Sequence, residues 1–201
     1  MNEPAKLGKL IMIRHGESEG NRDRRFSPSP EIELTEIGRR QAHDVAQRIR
    51  LLFKPAIIMS SPFRRARQTS AIIAAELNLP VEVVNEIHER DLGALRGESY
   101  DRLREMVRQD PRYDPEQGWM WRPDGGESYD DVRQRVTAAI DRVRARFPQE
   151  EVVIVSHGGV MLSMWAHVTG KWKGAHLPAN CGIVLFEHDR ERIHPPQIIG
   201  Q

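Results

Sequence analysis

Short apolar runs alternate along this chain with stretches in which apolar residues recur every three or four positions. The runs read as buried strands and the spaced stretches as amphipathic helices. Residues 10–13 (Leu-Ile-Met-Ile) predict a first buried strand, followed by a polar loop through Ser27, Pro28, Ser29 and Pro30. Thr35 is placed to cap a helix carrying Ala42, Val45, Ala46, Ile49 and Leu52 on one face. Residues 56–60 predict a second strand, 63–77 a helix and 81–84 another strand. Residues 100–107 predict a helix, and 110–126 a loop rich in Pro, Gly and Trp. Val132, Val136, Ala139, Ile140, Val143 and Phe147 have the spacing of a long amphipathic helix over 127–147. Residues 152–156 (Val-Val-Ile-Val-Ser) predict a buried strand, with a helix just after His157 and a final strand over 182–186. Met161, Met164 and Trp165 are expected on the core face of that last helix.

Alternation of strands and helices is the signature of an α/β layered fold. No internal repeat and no linker interrupts it, so residues 1–201 read as one domain. The irregular stretch over 99–126 is expected to be an insertion, a small helical and loop cap over the active face. Within it, Trp119, Trp121 and Arg122 can close over a substrate, although packing is the commoner work of tryptophan.

Composition narrows the class. Of the 201 residues, 29% are charged and 6% aromatic, and the mean hydropathy is -0.58. These are the values of an ordinary soluble globular protein. No stretch approaches the ~20 apolar residues needed to cross a bilayer, so no membrane partner is expected. The opening residues have no apolar core and do not read as a secretory leader. Cys181 is the only cysteine, which rules out an internal disulfide and makes the cytoplasm the simplest compartment. A net charge of +1 gives no general attraction to nucleic acid. Locally, Arg22, Arg24 and Arg25 form one basic cluster and Arg64, Arg65 and Arg67 another. If both border one pocket, they favour an anionic substrate. The eight histidines are scattered, without CxxC or HExxH spacing, so no metal site is expected.

Three predicted strands end in polar residues with chemical capability. The first ends in Arg14-His15-Gly16, the second runs into Ser60-Ser61-Pro62-Phe63-Arg64-Arg65, and the late one ends in Ser156-His157-Gly158-Gly159. If these strands are parallel, all three sets meet at one edge of the sheet, where open α/β folds bind ligands. Two His-Gly pairs, each closing an apolar strand, are hard to assign to chance. A neutral imidazole can attack phosphorus and form a phosphohistidine. Arg14 and Arg65 can grip phosphate oxygens with forked hydrogen bonds, and a protonated His157 can add another. Gly16 can let backbone approach the anion, and the helix starting near Gly158 can aim free N–H groups at it. With so many positive groups, neither a metal nor another cofactor is required. The leaving alcohol needs a proton, for which Glu86, Glu89 and Asp91 are all candidates.

These motifs resemble those of the histidine phosphatase superfamily, the phosphoglycerate-mutase-like enzymes. The similarity runs from about Leu10 to Phe186. It rests on residues 14–18 (Arg-His-Gly-Glu-Ser), 34–38 (Leu-Thr-Glu-Ile-Gly) with Gln41-Ala42, Ser60-Ser61-Pro62, Arg65-Ala66, Gln68-Thr69, Glu89 with Gly93 and Gly97, and His157-Gly158. The resemblance implies a three-layer αβα sandwich with a mostly parallel central sheet. It also implies that His15 is the phosphorylated nucleophile and that Arg14, Arg65 and His157 form the phosphate pocket, helped by Asn21 and Ser18. Glu89, four residues before Gly93, is implied as the proton donor. Substrate contacts are expected from Ser18, Asn21, Arg22 and Gly158, and the substrate is expected to be a small phosphorylated metabolite. Glu89-Arg90 and Gly93-Ala94-Leu95 are similar to the mutase branch. Asp91-Leu92 and Glu98-Ser99 depart from it, and Pro123-Asp124-Gly125-Gly126-Glu127-Ser128 is closer to phosphatase members. The expected activity is hydrolysis of a phosphomonoester. The alternatives are mutase-type transfer and a phosphate-binding module without turnover.

Overall fold

The first apolar run becomes β1 (Gly8–Arg14), in which Leu10, Ile11, Met12 and Ile13 are all fully buried. A strand covered on both faces shows a continuous apolar run instead of alternation. The other strands are β2 (Ile57–Ser60), β3 (Val81–Val83), β4 (Glu151–Ser156), β5 (Ile183–His188) and β6 (Gln197–Ile199). They form one sheet in the order β3-β2-β4-β1-β5-β6. β1, β2, β3 and β4 run parallel, while β5 pairs antiparallel with β1 and β6 antiparallel with β5. The computed structural model describes residues 6–27 and 29–200. Pro28 of the Ser/Pro loop and residues 1–5 of the opening stretch lie outside the described residues.

The helices are α1 (Glu19–Arg22), α2 (Glu36–Leu52), α3 (Arg64–Leu77), α4 (Tyr100–Gln109), α5 (Tyr129–Arg146) and α6 (Gly158–Thr169). Thr35 caps α2 as expected, its hydroxyl accepting from Gly38 N at 3.0 Å. Alternate strand residues divide between two cores. Leu10, Met12, Val152 and Ile154 meet Val136, Ile140, Met161 and Met164 of α5 and α6. Ile11, Ile13, Val153 and Val155 meet Val45, Ile49, Ala66 and Ile73 of α2 and α3. The sheet therefore lies between two helical layers, the three-layer arrangement expected. Trp165 packs against the first core as expected. Among the described residues no helix is long and apolar enough to cross a membrane.

Three elements differ from the sequence expectation. The strand over 182–186 is not the last, because β6 adds a three-residue edge strand beyond it. Three residues are too few to display a period. The Ser/Pro loop also contains α1, capped by Ser18 with Asn21 in a reciprocal capping box. Within 99–126, Ser99 caps α4, which has no buried residue. The segment expected as loop contains a 3-10 turn over Pro115–Met120.

Strand register places the chemistry. Arg14 pairs with Ser156 across β1 and β4, and Ser60 pairs with Val155 across β2 and β4. The residues just past these ends, His15, Ser61 and His157, are thereby brought level at the carboxyl edge. Backbone bonds continue the ladder there, His15 N to Ser156 O at 2.9 Å and Ser61 N to Val155 O at 3.0 Å.

Candidate active site

A cavity of about 650 Å³ opens at this edge, lined at its inner end by Arg14, His15, Arg65, Glu89 and Gly158. His15 is 3% exposed, and its Nδ1 lies 2.7 Å from Gly16 O. A carbonyl only accepts, so Nδ1 carries the proton and the neutral ring keeps its lone pair on Nε2. Arg65 Nε donates to that Nε2 at 3.1 Å, consistent with the same tautomer. Burial above all, then the Arg65 cation, holds the His15 pKa well below 6.5; the bond to Gly16 opposes this and Arg14 adds to it. The imidazole is therefore neutral at physiological pH, as a nucleophile must be.

His157 lies beside it, with ring centroids 5.1 Å apart. Its Nε2 is 2.7 Å from the Ser61 hydroxyl, which also accepts from Phe63 N at 3.3 Å. Among the described residues Nε2 is the one acceptor bonded to that hydroxyl, so the hydroxyl proton goes to Nε2 and the ring proton sits on Nδ1. Burial, Arg65 and His15 also push the His157 pKa well below 6.5. A neutral His157 can thus donate through Nδ1, and the protonation expected from the sequence is unnecessary.

Among the described residues, Arg14 Nε, Arg65 Nη1 and His157 Nδ1 are buried without a hydrogen-bond partner. Leaving such a donor unpaired costs roughly 1–3 kcal/mol. Three of them around one neutral histidine form a cradle with the chemistry to hold an anion. Burial, opposed by Glu89, brings the Arg65 pKa down to about 10, so the guanidinium stays cationic. Arg14 is steadied by Pro178 O at 3.0 Å.

Glu89 is held from two sides. Its Oε1 accepts from Arg90 N at 2.8 Å and from Gly159 N at 3.1 Å, leaving Oε2 with only a 3.5 Å contact. The start of α6 therefore presents Gly159 N–H to a carboxylate side chain, not directly to the phosphate position. A methyl group at Gly159 would lie 2.4 Å from Glu89 Oε1. Gly159→Ala is expected to lower kcat about 10²-fold with little change in thermal melting, since the flexible Glu89 side chain is what must move. An unchanged kcat would show that the held position of Glu89 is irrelevant to rate.

The carboxylate's loop is clamped by a pair that sequence reasoning missed. Arg135 makes a fork to Glu127, Nε to Oε1 at 2.8 Å and Nη2 to Oε2 at 2.9 Å. It also donates to the carbonyls of Glu86, His88 and Glu89. Glu127 Oε2 accepts from Asp91 N at 2.9 Å. Burial raises the Glu127 pKa, but Arg135 and the Asp91 N–H outweigh it and hold the carboxyl below its usual range. Of the three carboxylates open from sequence, Glu89 and Asp91 line the cavity, while Glu86 pairs with Arg142 on the surface. Asp91 is engaged with Arg96 and Gly93 N.

Other expected contacts divide. Asn21 and Gly158 line the cavity. Ser18 is buried beneath it as the α1 cap. Arg22 does not reach the cavity: its side chain is 58% exposed and bonds Asp23 at 2.8 and 3.1 Å. Arg25 instead borders the cavity at an exposed position, following Arg24 in a left-handed backbone (φ 52) and bridging to Ser99. Arg64 pairs with Glu33. Gly16 has a packing role as well: a Cβ there would sit 2.4 Å from Gly38 O, so it permits loop-to-helix approach. Trp119 stacks on Trp172, Trp121 Nε1 donates to Asp110, and Arg122 pairs with Asp131; all three are structural. Asn180, unmarked in the sequence, donates to His15 O at 2.9 Å and Asn21 Oδ1 at 3.1 Å. His88 also lines the cavity, stacked on Phe63. Among the described residues no group of three His, Cys, Asp or Glu side chains gathers as a metal ion would require.

A family model described as the histidine phosphatase superfamily (branch 1) matches residues 10–196. The chain is 31% identical over 187 residues to phosphoglycerate mutase-like protein 4 of Arabidopsis thaliana, covering 92% of this chain and 81% of that protein. It is 34% identical over 162 residues to phosphoserine phosphatase 1 of Hydrogenobacter thermophilus, covering 81% and 76%. The solved structure of a mycobacterial glucosyl-3-phosphoglycerate phosphatase matches with a TM-score of 0.80 at 26% identity, covering 96% of this chain and 98% of that one.

Proposed function

The chain belongs to the histidine phosphatase superfamily, and from that premise we propose that it hydrolyses a phosphomonoester through a covalent phosphohistidine on His15. Relatives named as phosphatases support its place among the phosphoric monoester hydrolases. The observation that carries the reading is the cradle itself, a neutral His15 with its lone pair on Nε2 among three unpartnered buried donors.

In the first step His15 Nε2 attacks phosphorus and the P–O ester bond breaks. Its electron pair goes to the leaving oxygen, which takes a proton from Glu89. Arg14, Arg65 and His157 turn their free N–H groups onto the phosphoryl oxygens and neutralise their charge. Arg65 Nε moves from Nε2 to an oxygen as the new bond forms. In the second step the Glu89 carboxylate takes a proton from water, the water oxygen bonds to phosphorus, and the P–N pair returns to Nε2. The products are alcohol and inorganic phosphate, and His15 and Glu89 are restored.

Water as acceptor is supported by Arg90. Its Nε and Nη2 donate to Glu127 O and Trp121 O and its Cζ lies 4.2 Å from the Tyr129 ring, so two of its donor groups are occupied by the chain and not offered to an acceptor acid. Segment 99–126 acts as a cap in this reading, with α4 bringing Tyr100 and Leu103 to the cavity. Phosphate release from a generic aryl phosphate tests the proposal, and the rate is expected to be the same with and without a metal chelator. Turnover lost on chelation, or isomer formed from 3-phosphoglycerate without free phosphate, would overturn it.

A further inference from the structure

The phosphoryl cradle fills only the inner end of the cavity, and the rest has a different character. A volume of about 650 Å³ is of the size that holds a drug-sized ligand, roughly 300–1,000 Å³. Beyond the cradle the walls include the apolar side chains of Phe26, Leu92, Leu103, Tyr129, Leu162 and Leu177. They come from separate segments: the loop after β1, the loop after the acid residue, α4, the start of α5, α6 and the loop before β5. Convergence of apolar side chains from so many elements makes a built wall, not a stray patch.

The cations near this outer part each have a partner within the chain. Arg90 is held by two carbonyls and the Tyr129 ring, 4.2 Å from its Cζ. Arg96 pairs with Asp91 at 2.5 Å, and Arg25 donates to Gly97 O at 3.0 Å. Arg104 stays near Asp101 at 3.7 Å. A carboxylate on the substrate would compete with these partners and would meet Asp91 on the same wall.

We infer that this site takes monoesters whose leaving alcohol is bulky and apolar, an alkyl chain or an aromatic ring, in preference to small hydroxy acids carrying a second anion. This rests on the phosphatase reading of the same site. Burial of the apolar group between α4 and α6 then supplies the selectivity, because transfer of apolar surface from water is favourable in proportion to area.

The test compares kcat/KM for n-hexyl and 2-phenylethyl phosphate with ethyl phosphate, phosphoserine and 3-phosphoglycerate. All five have aliphatic leaving oxygens, so differences report binding of the alcohol more than its leaving ability. Hexyl and phenylethyl phosphate are expected to exceed phosphoserine and 3-phosphoglycerate by about tenfold or more. Leu103→Asn and Leu162→Asn are each expected to narrow that ratio by about fivefold to tenfold. Leu103 stands on α4, which has no buried residue, so its variant keeps the fold. Equal or faster turnover of phosphoserine or 3-phosphoglycerate would overturn the inference while leaving the phosphatase reading intact. An unchanged ratio in both variants would also overturn it. No turnover of any of the five esters would instead contradict the phosphatase reading itself.

Discussion

Replacing His15 with alanine is expected to lower kcat for ester hydrolysis by at least about 10⁴-fold, because no other side chain offers a neutral nitrogen lone pair at the same place. The fold is expected to survive. His15 is anchored by its backbone, through N to Ser156 O and through O from Asn180, and both bonds remain in the variant. What is lost is the side-chain bond to Gly16 O and the partner of Arg65 Nε. The variant should therefore melt somewhat lower yet retain the phosphate cradle of Arg14, Arg65 and His157. Phosphate binding measured by calorimetry, beside the rate, separates the two roles. Residual turnover within a hundredfold of wild type would remove His15 from the nucleophile's position.

Glu89→Gln is expected to lower the rate about 10²–10⁴-fold with an alkyl ester. The substitution keeps the geometry, since an amide oxygen can still accept from Gly159 N and Arg90 N where Glu89 Oε1 now does. It removes only the capacity of Oε2 to give and take a proton. An aryl ester with an acidic leaving group needs little protonation, so its first step should be nearly spared. Its second step should not be, because water must still give up a proton. The variant is thus expected to show a burst of aryl alcohol approaching one equivalent per site, then slow turnover. Equal losses with aryl and alkyl esters, with no burst, would assign Glu89 a purely structural role.

Much of this site is legible in the order of residues along the chain. Arg14, His15 and His157 follow apolar runs whose length and composition mark them as buried strands, and parallel register then brings them level. In the sequence, Glu89 is separable from Glu86 and Asp91 only by family resemblance. In the fold the difference is physical: the start of α6 and the Arg135 clamp hold the Glu89 carboxylate beside the cavity.

What the sequence hides has physical causes. Arg135 and Glu127 are eight residues apart, and Arg135 lies on what reads as the solvent face of a helix. Only the chain passing over it reveals the fork. Asn180 sits in coil with no periodic signal. Among Arg22, Arg24 and Arg25, only Arg25 borders the cavity, which the composition of the cluster does not announce. α1 is only one turn long, too short for a period. Tautomers of His15 and His157 depend on bonds to Gly16 O and Ser61, and these emerge only from distances.

The central claim is a bond between phosphorus and His15 Nε2. Mixing enzyme with an aryl phosphate, quenching at alkaline pH within the first turnover and mapping the phosphorylated peptide by mass spectrometry tests it directly. The Glu89→Gln variant gives the highest yield of the intermediate for this purpose. The account predicts one phosphoryl group per chain, on the peptide containing His15, stable in alkali and lost in acid. A phosphoryl group on another residue, or turnover with no phosphoenzyme in either protein, would contradict it.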